Sequence, residues 1–169
     1  MNNKCAVKGP LTAAVLALPL ALASALGFAE ESHHGDHEAS HEHHYHKNVA
    51  GVFVGVTHAG RRKNAPAIGF EYSHRFTEHF SVGGVAEYTG GDADIWIAAI
   101  PFGWHLGHWK LYAAPGIEDG HHGTEELVRL GVEYAFEMGD GWEVAPQVNV
   151  DIVESEDVWV FGLVFARGF

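Results

Sequence analysis

The sequence predicts an all-β fold: an eight-stranded antiparallel up-and-down transmembrane β-barrel behind a disordered His-rich N-terminal tail. Three observations carry this reading. From residue 49 onward, apolar and polar side chains alternate with a period of two, in segments of about ten residues. Short turn sequences separate the segments, so neighbouring strands pair antiparallel. Within each segment, bulky apolar residues crowd one face and small or charged residues take the other.

Residues 1–29 have the features of a secretory signal peptide. Lys4 and Lys8 supply the positive start, and Leu11 to Leu22 supply an apolar stretch too short to cross a bilayer as a helix. Small residues follow, with cleavage expected after Ala25 or after Ala29. Cys5 is the one cysteine of the chain and falls inside this segment, so the processed chain would carry no thiol.

Residues 30–48 are dominated by His, Glu and Asp and hold too little apolar surface to fold alone. His33, His34, His37, His41, His43, His44 and His46 alternate with Asp36, Glu38 and Glu42. Neutral imidazoles suit Zn, Cu or Ni. The spacing matches no fixed structural zinc motif, so the expectation is metal binding by a flexible chain, with no cofactor required by the fold. A formal charge of −12 argues against nucleic acid as a partner.

Residues 49–169 hold the barrel. The expected strands are residues 49–58, 67–76, 80–89, 94–106, 108–118, 126–137, 142–153 and 157–169. Three of them define the two faces. Trp142, Val144, Pro146, Val148, Val150 and Ile152 oppose Glu143, Ala145, Gln147, Asn149 and Asp151. Val128, Leu130, Val132, Tyr134 and Phe136 oppose Arg129, Gly131, Glu133, Ala135 and Glu137. Trp159, Phe161, Leu163, Phe165 and Phe169 oppose Gly162, Val164, Ala166 and Gly168.

Size decides which face points in. An eight-stranded bore is just wide enough for side chains to fill. Stacked Trp and Phe from every strand would not fit it, whereas small residues and scattered ion pairs would. The bulky face therefore meets lipid, the polarity of a membrane barrel. Trp96, Trp104, Trp109, Trp142 and Trp159 all fall on that face near strand ends, where an interfacial aromatic girdle sits. Pro101, Pro115 and Pro146 each remove a ladder donor inside a strand, so bulges or local irregularity are expected there.

The signal peptide, the eight alternating strands and the terminal Phe169 together resemble the small eight-stranded bacterial outer-membrane barrels. That family includes the transmembrane domain of outer membrane protein A and outer membrane protein W. The strand–tight turn–strand stretch from Gly69 to Gly84, with Phe70, Tyr72, Phe76 and Phe80, looks like a unit common in it. Phe169 resembles the signal read by the barrel-assembly machinery. Arg167 departs from the family's usual aromatic or aliphatic residue at that position. The resemblance implies a monomer among outer-membrane lipid and lipopolysaccharide, with both termini and the His-rich tail in the periplasm. Turns near Thr77, Gly107 and Asp140 would then be periplasmic. Loops near residues 61–64, 90–92, 118–125 and 154–156 would face outward, and all are short.

The inward face nominates a lumen ion-pair network of Glu71, Arg75, Glu87, Lys110, Arg129, Glu133, Glu137 and Asp151, with Glu118 and Asn149 beside it. Buried charges need partners, so the first reading is a structural plug. The alternative is a narrow channel or transporter for small solutes, ions or apolar ligands. Ile95, Ile97, Val158 and Val160 make the outer half of the bore less polar. Two loops also carry charge: Arg61, Arg62 and Lys63 could meet lipopolysaccharide phosphates, and His121 with His122 lies beside Glu118 and Asp119.

Some small outer-membrane barrels are lipid A deacylases or acyltransferases. Here Ser73 and His74 are adjacent in a strand and face opposite sides. His122 and Thr124 share a face, but no serine stands near them. The sequence therefore nominates no catalytic set and points to a non-enzymatic role.

Overall fold

The structure is a computed structural model, and it describes residues 46–59, 64–121, 123–154 and 157–169. The expected signal peptide, the loop residues Arg61, Arg62 and Lys63, and His122 lie outside the described residues. So do His33, His34, His37, His41, His43 and His44.

Ten strand segments are present among the described residues: β1 (Asn48–Ala59), β2 (Ala65–Arg75), β3 (Phe80–Thr89), β4 (Ile95–Ala99), β5 (Phe102–Leu106), β6 (Trp109–Gly120), β7 (Gly123–Tyr134), β8 (Phe136–Gly139), β9 (Trp142–Val153) and β10 (Asp157–Gly168). They make eight staves, because β4 with β5 and β7 with β8 each form one interrupted stave. Every pairing is antiparallel between neighbours, and β10 pairs with both β9 and β1, which closes the ring. Closure removes the free edges that an open sheet would expose.

One end of the barrel holds Asn48 and Phe169 and the turns before β3, β6 and β9; we call it the terminal end. The loops before β2, β4, β7 and β10 mark the far end. Asn48 ties the seam at the terminal end. Its amide donates to the Phe169 carbonyl, and its own carbonyl accepts from the Phe169 amide at 2.8 Å. Outside the wall, Tyr72 Oη donates to Asn48 Oδ1 at 2.9 Å, and His74 Nδ1 lies 2.8 Å from the same atom.

The three prolines explain both interruptions. Pro101 breaks the fourth stave between β4 and β5. Ile100 donates to the Pro115 carbonyl at 2.9 Å, so Pro115 turns its missing donor toward that same break. A residue's N–H and C=O point the same way in an antiparallel ladder. Pro146 pairs with Leu163 on one side and faces the gap between β7 and β8 on the other. The register is the same on either side of both gaps, so these are ladder interruptions rather than bulges. The shift that does occur lies between Glu137 and Gly139.

The wall has the polarity expected of a membrane barrel. Val52, Val54, Phe70, Leu130, Phe161, Leu163 and Phe165 point outward and are exposed. All five tryptophans lie on that face in two tiers. Trp96 and Trp159 stand toward the far end; Trp104, Trp109 and Trp142 stand toward the terminal end. Trp159 stacks on Phe161 with ring centroids 6.1 Å apart, and Trp109 packs edge-on to Tyr134 at 4.8 Å. Arg167 keeps its outward position by lying 5.4 Å over the Trp142 ring, its charge against the ring's negative face.

Two aromatics break the outward rule. Phe53 and Tyr112 point into the bore and are buried. Glycine makes the room. Gly55 and Gly162 face each other across β1 and β10, and a side chain at either would collide with the Phe53 ring. Gly131 faces Tyr112 across β6 and β7, and a Cβ there would collide with the Tyr112 ring. A ring fits a narrow bore when it can lie over neighbouring positions that have no side chain.

Candidate functional site in the lumen

The bore is filled in layers, because inward residues recur every second position on each stave. Nearest the far end is an apolar layer of Ile97, Leu127 and Val153, with Ile95 packed against it. Ile95 and Ile97 of the four residues that the sequence suggests for a less polar half lie in it, whereas Val158 and Val160 pack with Phe53 in another cluster.

The next layer is ionic. Arg129 on β7 is fully buried, and its guanidinium holds Asp151 on β9 through two bonds, Nε–Oδ1 at 2.6 Å and Nη2–Oδ2 at 2.8 Å. Its Nη1 donates to Glu87 Oε2 on β3 at 2.7 Å. β3 and β7 are three staves apart in a ring of eight, so this contact spans the bore. Such a bidentate, doubly paired arginine is the geometry in which buried charge is tolerated. Thr57 and Thr89 join at 3.1 Å among the inward residues of β1 and β3.

A second cross-bore layer follows, made of neutral polar groups and one carboxylate. Tyr112 Oη on β6 donates to Asn149 Oδ1 on β9 at 2.5 Å. Gln147 Nε2 donates to Tyr112 Oη at 2.8 Å and to Glu71 Oε1 on β2 at 3.1 Å. Gln147 Oε1, Asn149 Nδ2 and Glu87 Oε1 make no hydrogen bond among the described residues and are buried. Each is a group for which a polar partner is expected.

Toward the terminal end the bore widens into a cavity of about 220 Å³. Turn residues Glu78, His79, Gly107 and His108 line its mouth. Its walls carry Glu71, Glu133, Glu137 and Glu143 against Arg75 and Lys110. Lys110 Nζ bonds Glu133 Oε2 at 2.9 Å, and His105 Nε2 lies 2.9 Å from Ser81 Oγ.

The nominated residues therefore divide. Glu87, Arg129 and Asp151 meet in one contact set, and Glu71 joins the neutral layer through Gln147. Lys110 and Glu133 pair beside the cavity, which Arg75 also lines. Glu137 pairs with Glu143 across β8 and β9 and also lines the cavity, exposed near its rim. Glu118 is half-buried near the far rim.

Sequence reasoning placed Gln147 and Glu143 on the inward face without adding them to the network, and it left out Tyr112, Ser81 and His105. Tyr112 was hidden by its size, since only the opposing Gly131 makes room for it.

Other nominated sites hold little together. His46 is exposed beside Gly168 and Gly141. His121 lies 3.8 Å from Asp94, both largely exposed. Ser73 faces the cavity, while His74 faces outward toward Asn48. Among the described residues no group of three or more His, Cys, Asp or Glu has metal-holding geometry.

No protein-family model matches this chain, and no curated protein matches it in sequence. Its backbone, however, is similar to solved structures. Yersinia pestis outer membrane protein Ail, in a phospholipid bilayer nanodisc, shares 11% identity over 72% of this chain and 99% of its own, with a TM-score of 0.51. The N-terminal β-barrel domain of Pseudomonas aeruginosa OprF shares 10% over 73% of this chain and 98% of its own, at 0.52. The fold is that of the small eight-stranded outer-membrane β-barrels. Neisserial surface protein A adds a further example at 5% identity, covering 72% of this chain and 96% of its own, at 0.50. At such identities the likeness concerns the fold, and the interior of this barrel must be read from its own residues.

Proposed function

We propose that this chain is a non-enzymatic barrel of the bacterial outer membrane with a structural or interaction role, its bore closed to through passage. One observation carries the reading: Arg129 links β7 to β9 and, across the bore, to β3, with no solvent exposure. An apolar layer covers this plug on the far side, and a hydrogen-bonded layer backs it on the other.

In this reading the terminal end faces the periplasm, where the His-rich residues 30–48 bind Zn, Cu or Ni. The outer surface meets lipid and lipopolysaccharide, and the chain is inserted as a monomer by the barrel-assembly machinery. The His-rich composition supports the metal role; imidazole is the common ligand for these ions.

Planar-bilayer recording tests the plug. A closed baseline across voltage is expected, and a steady single-channel conductance would overturn it. Calorimetric titration with Zn, comparing the full chain with a variant lacking residues 30–46, tests the metal role. The full chain should release or take up heat that the truncated chain does not; equal titrations remove the tail from the proposal.

A further inference from the structure

His46 has a seat in the barrel that the closed wall does not require. The two residues after it are pinned. The Lys47 carbonyl accepts from the Arg75 amide at 2.8 Å, and Asn48 is tied to Phe169. The His46 ring lies over two glycines. A Cβ on Gly168 would collide with that ring, and one on Gly141 would stand 3.2 Å from its Nε2. Gly168 donates to the Gly141 carbonyl at 2.7 Å, so the two glycines form one floor. The turn demands glycine at position 141, where φ is +77°, but Gly168 has no such constraint. Its missing side chain makes room for the imidazole.

That floor belongs to the inward face. Gly168 continues the buried row of Val164 and Ala166 on β10. Gly141 stands two residues before Glu143, which pairs with Ala166 and points into the bore. The imidazole seat and the Glu143 carboxyl thus occupy successive inward positions on the same two staves, about 7 Å apart along the strand. A glutamate side chain turned toward the mouth spans much of that distance. The His46 ring is exposed and open to an ion. Imidazole nitrogen and carboxylate oxygen are ligand types of Zn and similar ions. Two such ligands are too few, and the described residues hold no group of three. The sequence supplies the others: His43 and His44 come three and two residues before His46.

We propose that His46 and Glu143 are the barrel's own ligands for one divalent ion of the Zn, Cu or Ni class, completed by His43 and His44, so that the ion sits at the terminal mouth of the bore. This inference rests on the metal role proposed above for residues 30–48 and adds where the ion is held and by which barrel side chain. The glycine floor is what makes the site depend on the fold: it fixes the first imidazole beside the carboxylate, so less chain has to be ordered on binding.

The test uses the full chain folded in nanodiscs, with Zn for calorimetry and Cu(II) as a paramagnetic probe of backbone amides. Substoichiometric Cu(II) should broaden the amides of Gly141, Glu143 and Gly168 most strongly and leave those of Thr57 and Thr89 sharp. Glu143→Gln should weaken Zn binding about tenfold, the loss of one ligand. Gly168→Ala removes no ligand but fills the seat, and it should weaken binding about fivefold. Asp92→Asn, at the far end, should leave it unchanged. Zn bound with parental affinity by either Glu143→Gln or Gly168→Ala overturns this inference and leaves the metal role of the His-rich segment standing. Broadening centred away from the mouth does the same. Absence of Zn binding to the parent chain overturns both. If Glu143→Gln does not fold, Gly168→Ala and the parental broadening decide.

Discussion

The two halves of the bore are built from the same staves with the same alternation, yet they are opposites. The far half is packed with Ile97, Leu127 and Val153, beside the buried hydroxyl pair of Thr57 and Thr89. The terminal half holds a charged cavity of about 220 Å³. Between them, Arg129, Glu87 and Asp151 satisfy one another almost completely. The wall does not distinguish the halves; the filling does. Where aliphatic residues fill a narrow bore, water is excluded, and charges next to that region must be paired within the protein. Where glycine, alanine and glutamate line it, space remains and solvent screens the charges.

The largest effect should come from the boundary. Arg129→Met leaves two buried carboxylates without their cation and should destabilise the barrel by about 3–5 kcal/mol in denaturant unfolding from bilayers. Adding Glu87→Leu and Asp151→Leu should recover most of that loss. A single variant as stable as the parent would show that the boundary is already hydrated.

Next comes the apolar half. Leu127→Ala opens a cavity in the Ile97–Val153 layer and should cost about 2–4 kcal/mol by the same measurement. A near-zero cost would mean that this half is not tightly packed, and the contrast between the halves would weaken.

The smallest effect belongs to the terminal half. Lys110→Met removes a largely buried pair that borders the cavity, and the loss should be about 1–3 kcal/mol, below that of Arg129→Met because the cavity gives Glu133 some access to solvent. A loss as large as that of Arg129→Met would show the two ionic layers to be equally dry.

Much of this was legible in residue order. On β7 and β9 the split into Val128, Leu130 and Val132 against Arg129 and Glu133, and into Val148 and Val150 against Gln147, Asn149 and Asp151, is the split the structure displays. Alternation translates directly into two faces because a strand has no other way to place its side chains. Bulges or local irregularity were expected at the prolines, and the irregularity takes the form of interruptions; the sequence could not say that Pro101 and Pro115 share one gap. That depends on the pairing register between the fourth and fifth staves. Glu137 has the right parity and sits on the rim because β8 ends two residues later at the turn.

By itself, then, the sequence determined the strand count, the inverted polarity and the outward tryptophans, all consequences of local periodicity and side-chain volume. Only the tertiary structure decided which inward residues meet. Glu87 and Arg129 are 42 residues apart, and Gln147 and Glu71 are 76 apart. They touch because closure of the ring brings distant staves across one bore. The same closure sets Gly55 and Gly162 against Phe53, and Gly131 against Tyr112, so that two large rings fit where volume alone would exclude them. Parity is a property of each strand; partnership is a property of the closed barrel.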